Sequence, residues 1–192
     1  MRPRATYFCV DIECNGPVPG LYDMVSLGVV AIQNREGLPV LGEKFYIEIR
    51  PQAPRFDPKA AAIHGLDQNR LHREGLPRAE ACRHLIAWVA RQTAPGTQAV
   101  FVGHNAPFDW SFVAWTFAAE NLPNPFGYKA LDTKALAMGV LDLHWLDASK
   151  ETLQGLLNLP LENKDQKHRA DYDAEYQALI LIGLLNRMSS NP

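Results

Sequence analysis

The chain has few cysteines, little excess charge and no long apolar run. Its three cysteines, Cys9, Cys14 and Cys82, show neither metal-ligand spacing nor a pattern of paired bridges. A sparse, odd number is typical of a reducing compartment, and the first residues show no signal-peptide pattern, so we expect a cytoplasmic protein. No apolar run reaches the ~18 residues that span a bilayer, so we predict no membrane partner.

The net charge of the 192 residues is −2, so the chain has no overall basic field. This disfavours a protein that coats long nucleic acid, but not an enzyme that holds a few nucleotides. Apolar residues make up 47% and charged residues 21%, as in ordinary folded proteins. Repeats, low-complexity segments and linkers are also missing, and we therefore expect a single domain over residues 1–192.

A short run near the start, Thr6–Glu13, carries the first candidate site. Its aromatic and β-branched residues predict a buried strand. Asp11 and Glu13 lie two positions apart where the apolar run ends, so they point to the same side of that strand. Such a pair can bind hard cations and can span two metals about 3.5–4 Å apart. Two solvated acids would give the same pattern, so the pair alone does not decide the function.

The remaining pattern predicts a mixed sheet covered by helices. Further strands are expected over residues 25–32, 44–50, 98–102 and 128–131. Helices are expected over residues 59–63, 77–92, 108–120, 132–138, 152–157 and 170–187. The first three strands are joined by short loops, which favours an antiparallel meander. The last helix is apolar nearly all round, which favours a buried helix.

Two later stretches add more acids. Asp109 falls in the first turn of a helix that follows a buried strand, where the helix dipole favours a negative charge. Asp171, Asp173 and Glu175 crowd the start of the last helix, and His168 lies just before them. The dipole explains one or two of these acids, but three within five residues are more than capping requires. These stretches are therefore candidate partners for the first pair.

Three motifs at compatible spacing resemble the signature of the DEDDh 3′–5′ exonucleases. They are D-x-E at residues 11–13, H-N-A-x-F-D at 104–109 and H-x-A-x-x-D-A at 168–174. The resemblance runs from about residue 6 to 185. It implies an α/β, ribonuclease H-like fold with a mixed five-stranded β-sheet flanked by α-helices. It also implies a metal-dependent enzyme that hydrolyses phosphodiester bonds from the 3′ end of single-stranded RNA or DNA.

The same resemblance implies a role for individual residues. Asp11, Glu13, Asp109 and Asp173 correspond to the acids that bind two Mg²⁺ or Mn²⁺ ions, and His168 corresponds to the general base. In the implied mechanism the cations neutralise the phosphodiester and the leaving oxygen, while His168 takes the proton of the attacking water. Asp171 is an extra acid beside this set, and the motifs give it no role.

Contacts with the substrate are expected around the terminal nucleotide, from Cys14, His64, Asn105 and Phe108. Related chains often carry a hydroxyl residue where this one has Cys14, which leaves the sugar preference open. A base stacked on Phe108, Phe56 or His64 would gain about 1–3 kcal/mol, but the phenylalanines could equally belong to the core. Three cations of one loop are either phosphate contacts or part of an ordinary solvated surface: Lys164, Lys167 and Arg169.

Three alternatives stay open at this stage. A ribonuclease H-like endonuclease would lack the third motif. A nuclease-like nucleic-acid-binding module without activity would not need the intact set of four acids and a histidine. A polymerase-associated proofreading subunit would keep the chemistry but work inside a complex. A homodimer is a further expectation, because ribonuclease T is among the proteins that the motifs resemble.

Overall fold

A five-stranded mixed sheet organises the computed structural model, which describes residues 4–190. The strands are β1 (Ala5–Cys14), β2 (Met24–Arg35), β3 (Leu38–Glu48), β4 (Gln98–Gly103) and β5 (Ala130–Asp132). Their order is β3-β2-β1-β4-β5. β1 to β3 pair antiparallel, and β4 and β5 continue the sheet in parallel with β1. The predicted meander and the predicted fold class are confirmed.

Seven α-helices accompany this sheet within residues 4–190. They are α1 (Pro58–His64), α2 (Gln68–Glu74), α3 (Arg78–Gln92), α4 (Pro107–Ala119), α5 (Thr133–Leu141), α6 (Lys150–Leu156) and α7 (Ala170–Ser190). A 3₁₀ turn at Trp145–Asp147 precedes α6. None of these helices has the length and apolar character needed to cross a membrane.

Helix α2 is absent from the sequence prediction. Leu71 is its single buried residue, so no apolar period marks the helix. It is held instead at its start, where the Asp67 carboxylate accepts the N–H groups of Asn69 and Arg70. Asp67 before the helix and Gly75 after it are the sequence signals that could have revealed it.

β1 separates two cores because successive side chains lie on opposite faces of a strand. Phe8, Val10 and Ile12 belong to a large core that α3 and α4 cover with aromatic and aliphatic side chains. Cys9 packs on the other face, in a smaller core built with α7. Asp11 and Glu13 follow Cys9 at two-residue intervals, so both acids lie on the same side of β1, as predicted, and this is the side that α7 covers.

The close approach of α7 to the sheet depends on a glycine in β2. Gly28 is the partner of Asp11 across the β1–β2 pair. A Cβ atom at this position would lie 2.1 Å from the carbonyl oxygen of Ala170, so a larger residue would push α7 away. The first turn of α7 therefore lies directly over the two acids of β1, and this turn carries Asp173.

The far edge of the sheet is incomplete because β5 is short. β5 pairs with residues 101–103 of β4 only. Along residues 98–100, β4 pairs with β1 on its inner side and with no described strand on its outer side. The loop 125–129 and this outer edge line a cavity of about 400 Å³. Tyr128 in that loop is 81% exposed.

Candidate active site

The carboxyl end of β1 meets the first turns of α4 and α7. A carboxylate oxygen of Glu13, a carboxylate oxygen of Asp173 and a ring nitrogen of His168 all lie within 4.8 Å of one another. Glu13 and Asp173 are buried, whereas His168 is exposed. Three of the predicted site residues, separated by up to 160 positions in the chain, are thus brought together.

Asp109 joins this group from α4. Its Oδ1 accepts the backbone N–H of Ile12 at 3.1 Å, and Ile12 lies between the two acids of β1. Asp109 is buried in the first turn of α4, which begins at Pro107 directly after the turn that ends β4. The structure therefore places all four predicted acids around the end of β1.

The aspartates of the site are held by hydrogen bonds from the chain. The Gln177 amide donates from Nε2 to Asp11 Oδ1 at 2.6 Å. Asp173 Oδ1 accepts from Lys150 Nζ at 3.0 Å, and Asp173 Oδ2 accepts the backbone N–H of His168 at 2.8 Å. Glu13 differs, because it accepts no hydrogen bond from residues 4–190.

Burial and nearby negative charges raise the pKa values of Asp11, Glu13 and Asp109. Burial, followed by the charge of Asp173, raises the pKa of Glu13 to about 8. Burial also raises the pKa of Asp109 to about 7, although the Ile12 N–H opposes the rise. The pKa of Asp11 lies well above its usual range, because of burial and then the neighbouring Asp109 charge. The site therefore concentrates negative charge that only a cation or protons can relieve.

Lys150 supplies a positive charge that offsets part of this negative charge, and no sequence motif predicts a role for it. Burial alone would lower the Lys150 pKa, but the charges of Asp11 and Asp173 outweigh burial, so the pKa is raised. The same ammonium, after burial itself, helps to lower the pKa of His104 to about 4. A lysine at the start of α6 opposes the helix dipole, and this anomaly was the available signal.

His168 lies in the loop before α7 and has a left-handed backbone, with φ of 66°. Such a conformation is uncommon for a residue with a side chain. The hydrogen bond from its N–H to Asp173 fixes the backbone, while the imidazole remains exposed. The base candidate and the acid of α7 are thus linked through the main chain.

Asp171 forms an ion pair with a neighbouring side chain, and so do two of the candidate phosphate contacts, Lys167 and Arg169. Asp171 forms an ion pair with Arg169 at 3.0 Å. Lys167 lies 3.5 Å from both Glu151 and Glu162. Asp171 thus has a partner, and both cations already have acidic neighbours.

Of the predicted substrate contacts, Asn105 and Phe108 border the site and are exposed. Asn105 has a φ of 64°, and its N–H donates to Asp132 at 3.3 Å. The Phe108 ring packs on Phe112, with a centroid distance of 5.3 Å, and keeps an exposed face. Both residues lie in the turn and helix that carry Asp109.

Cys14 and His64 are more enclosed than Asn105 and Phe108. The Cys14 side chain packs against the large aromatic core, on the face of β1 away from the acids. His64 is 8% exposed, and its Nδ1 accepts the N–H of Leu66, while Nε2 has no partner among residues 4–190. Ile63 before it and Phe56 in the preceding loop are exposed instead.

The residues present fit a divalent metal site. The four carboxylates offer the oxygen ligands that Mg²⁺ and Mn²⁺ prefer. Each aspartate carboxylate is oriented by at least one hydrogen bond, and the Glu13 carboxylate has no hydrogen-bond partner among residues 4–190 that a metal would need to displace. The raised pKa values of Glu13 and Asp109 are the expected result of acids gathered for a cation.

Solved structures with the same fold include two nucleases. The nuclease domain of 3′hExo, a DEDDh family member bound to rAMP, superposes with a TM-score of 0.76 over 95% of this chain and 91% of that chain, at 13% identity. E. coli exonuclease I in complex with a dT13 oligonucleotide gives a TM-score of 0.73 over 97% of this chain and 42% of that chain, at 16% identity. At these identities the likeness defines the ribonuclease H-like exonuclease fold.

Sequence comparison identifies the family. The family model RNase_T, described as an exonuclease, matches residues 8–181. The 3′-5′ DNA exonuclease Cap18 of Escherichia coli is 34% identical over 179 residues, 92% of each chain. Ribonuclease T of Marinobacter nauticus is 30% identical over 184 residues, covering 93% of this chain and 81% of the relative. The chain therefore belongs to the RNase_T exonuclease family, and it is a 3′–5′ exonuclease of the DEDDh type.

Proposed function

We propose that the enzyme shortens single-stranded nucleic acid from its 3′ end, with two Mg²⁺ or Mn²⁺ ions held by the four acids and His168 as the general base. The observation that carries the proposal is the convergence of Glu13, Asp173 and the His168 ring within 4.8 Å. Asp11 and Asp109 complete the ligand set. When bound, such cations supply positive charge that offsets the phosphodiester and the leaving 3′ oxygen.

The side chains of the enzyme divide the remaining work. The His168 imidazole accepts the proton of the attacking water, and its exposure lets that proton pass to solvent. The hydrogen bond between the His168 N–H and Asp173 keeps the base beside the acids. The exposed Phe108 ring, one residue before Asp109, stacks on the terminal base and holds the last phosphodiester at the acids.

DNA is the first substrate that we propose. The relative with 34% identity is a DNA exonuclease, and it matches this chain over 92% of both lengths. RNA is the second candidate, because ribonuclease T is 30% identical. Cys14, His64 and Asn105 remain the proposed contacts to the terminal nucleotide, with Cys14 contributing through its backbone because its side chain packs into the core.

A panel of labelled oligonucleotides tests the proposal. Single- and double-stranded DNA and RNA, each labelled at the 5′ end, are incubated with Mg²⁺, Mn²⁺ or EDTA. The expected result is a ladder of labelled products that shorten from the 3′ end, with single-stranded DNA degraded fastest and no reaction in EDTA. Internal fragments without a ladder would identify an endonuclease. Equal activity in EDTA would contradict the role of the acids.

Assembly is a separate proposal. A proofreading subunit would co-purify with a polymerase, whereas a free enzyme would degrade the panel alone. The homodimer expected from the resemblance to ribonuclease T can be tested by light scattering on the purified chain. Membership in an exonuclease family argues against a module without activity.

A further inference from the structure

Gln177 is a buried polar residue that the motifs do not include. It lies on α7, four residues after Asp173, and therefore on the same face of the helix. The residues beside it on this face, Ala174, Ala178 and Leu181, are buried and apolar. Gln177 itself is 1% exposed. A buried amide in such surroundings needs partners for its polar atoms.

Both ends of the amide have a partner at the active site. Nε2 donates to Asp11 Oδ1 at 2.6 Å, and Oε1 accepts the backbone N–H of His104 at 3.0 Å. A backbone N–H can only donate, so the oxygen of the amide must face His104. The NH₂ group must then face Asp11. Chemistry thus fixes the orientation of the amide.

The bridge joins three separate parts of the chain at the active site. Asp11 lies on β1, His104 begins the turn after β4, and Gln177 comes from α7. The next residue of the turn is Asn105, a proposed substrate contact. With one oxygen of Asp11 occupied by the amide, its Oδ2 is left to face a cation.

We propose that Gln177 is a positioning residue, which orients the Asp11 carboxylate for the divalent cations and ties that carboxylate to the substrate-binding turn at His104. The inference rests on the proposed metal-dependent function. Groups that orient a metal ligand typically change metal affinity or activity by about 10–100-fold when they are removed. If Gln177 only filled space in the core, its substitution by methionine would leave metal affinity and activity unchanged.

The test compares Gln177→Met, which keeps the length of the side chain but loses both hydrogen bonds, with the wild type. Titration calorimetry with Mn²⁺ should show binding weakened by about 10–100-fold. Turnover at subsaturating Mn²⁺ should fall by a similar factor and should recover substantially at saturating Mn²⁺. The KM for the oligonucleotide should change less than the apparent Mn²⁺ constant.

Two further variants keep the experiment decisive. Gln177→Asn retains an amide that is one methylene too short to reach both partners, and it serves if the methionine variant does not fold. Leu184→Ala removes a fully buried side chain farther along α7 and controls for lost stability. It should melt at a lower temperature yet bind Mn²⁺ like the wild type.

The outcomes separate the two proposals. Failure of the wild type to bind Mn²⁺ would overturn the metal-dependent function itself. If the wild type binds Mn²⁺, and folded Gln177→Met or Gln177→Asn binds it within twofold of that affinity, Gln177 has no positioning role. Weakened binding in Leu184→Ala to the same degree would likewise overturn the inference, since a general loss of packing would then explain the effect.

Discussion

The aspartates of the site and its histidine are held in different ways. Asp11, Asp109 and Asp173 are each fixed by a hydrogen bond from a buried or backbone group. Within residues 4–190, His168 is fixed through its backbone alone, and its ring is exposed in a loop. Metal ligands gain from fixed geometry, because every degree of freedom lost on binding weakens the complex. A base that must exchange protons with water gains from exposure.

Removing a fixed acid should have the largest effect. Asp11→Asn keeps the shape of the side chain but halves the charge of the β1 pair. We expect turnover to fall by roughly 10³-fold or more, because bound cations stabilise the charge of the transition state by several kcal/mol. The rise in melting temperature on adding Mn²⁺ should disappear as well. Calorimetry with and without Mn²⁺, together with the labelled ladder, measures both effects. Retained Mn²⁺ stabilisation would contradict the role of Asp11.

Removing the loosely held base should affect turnover alone. His168→Asn is the suitable change, because asparagine tolerates the left-handed backbone at this position. Turnover should fall by about 10²–10⁴-fold, while the Mn²⁺-induced rise in melting temperature persists. His168→Ala should behave alike with some added loss of stability. Loss of the Mn²⁺ effect would instead make His168 a metal ligand.

Displacing α7 from β1 should have a smaller effect. The Cβ of Gly28→Ala meets the Ala170 carbonyl oxygen, and the resulting overpacking should cost about 1–3 kcal/mol. Activity should also drop, since α7 carries Asp173 away from β1. Gly139→Ala is the matched control, because its Cβ meets nothing within 4 Å. Thermal unfolding and turnover of the two variants are compared. Equal stability and activity would show that α7 does not depend on Gly28.

The smallest expected effect is the pH dependence of stability that Glu13 causes. Its folded pKa of about 8 lies above the unfolded value of about 4.3. The stability that it contributes is therefore present at low pH and is lost as the pH rises through about 8. In EDTA, the melting temperature of Glu13→Gln minus that of the wild type should increase as the pH rises from 5 to 9. With Mn²⁺ present, this difference should no longer increase with pH, because the cation stabilises the ionised Glu13 of the wild type. A flat difference would show that Glu13 ionises normally.

Much of the fold could be predicted from local pattern. The observed bounds of α3, α4 and α7 lie within three residues of the prediction, because each helix has clear apolar content and end signals. β3 begins at Leu38 rather than residue 44, because Pro39 and Gly42 disguise its first half. The predicted strand over residues 128–131 corresponds to β5, which the structure has at Ala130–Asp132.

The predicted acids and His168 converge in the fold. They could be predicted because each belongs to one of the three sequence motifs. Gln177 and Lys150 were not predicted, since their partners are distant in the chain. Gln177 meets Asp11 across 166 positions. A polar residue on the buried face of α7 was the one available hint. Contacts of this kind depend on how helices dock, and the pattern of a single chain does not encode docking directly.

The short fifth strand has a consequence for behaviour at high concentration. An unpaired strand edge exposes N–H and C=O groups that can recruit the edge of another molecule. Beside residues 98–100 lies the loop 125–129, which contributes Pro125, a residue without an N–H, and the positive charge of Lys129. Natural sheets use both features to discourage edge-to-edge aggregation. Loop 125–129 should therefore help to keep this strand edge from pairing with the edge of a second molecule.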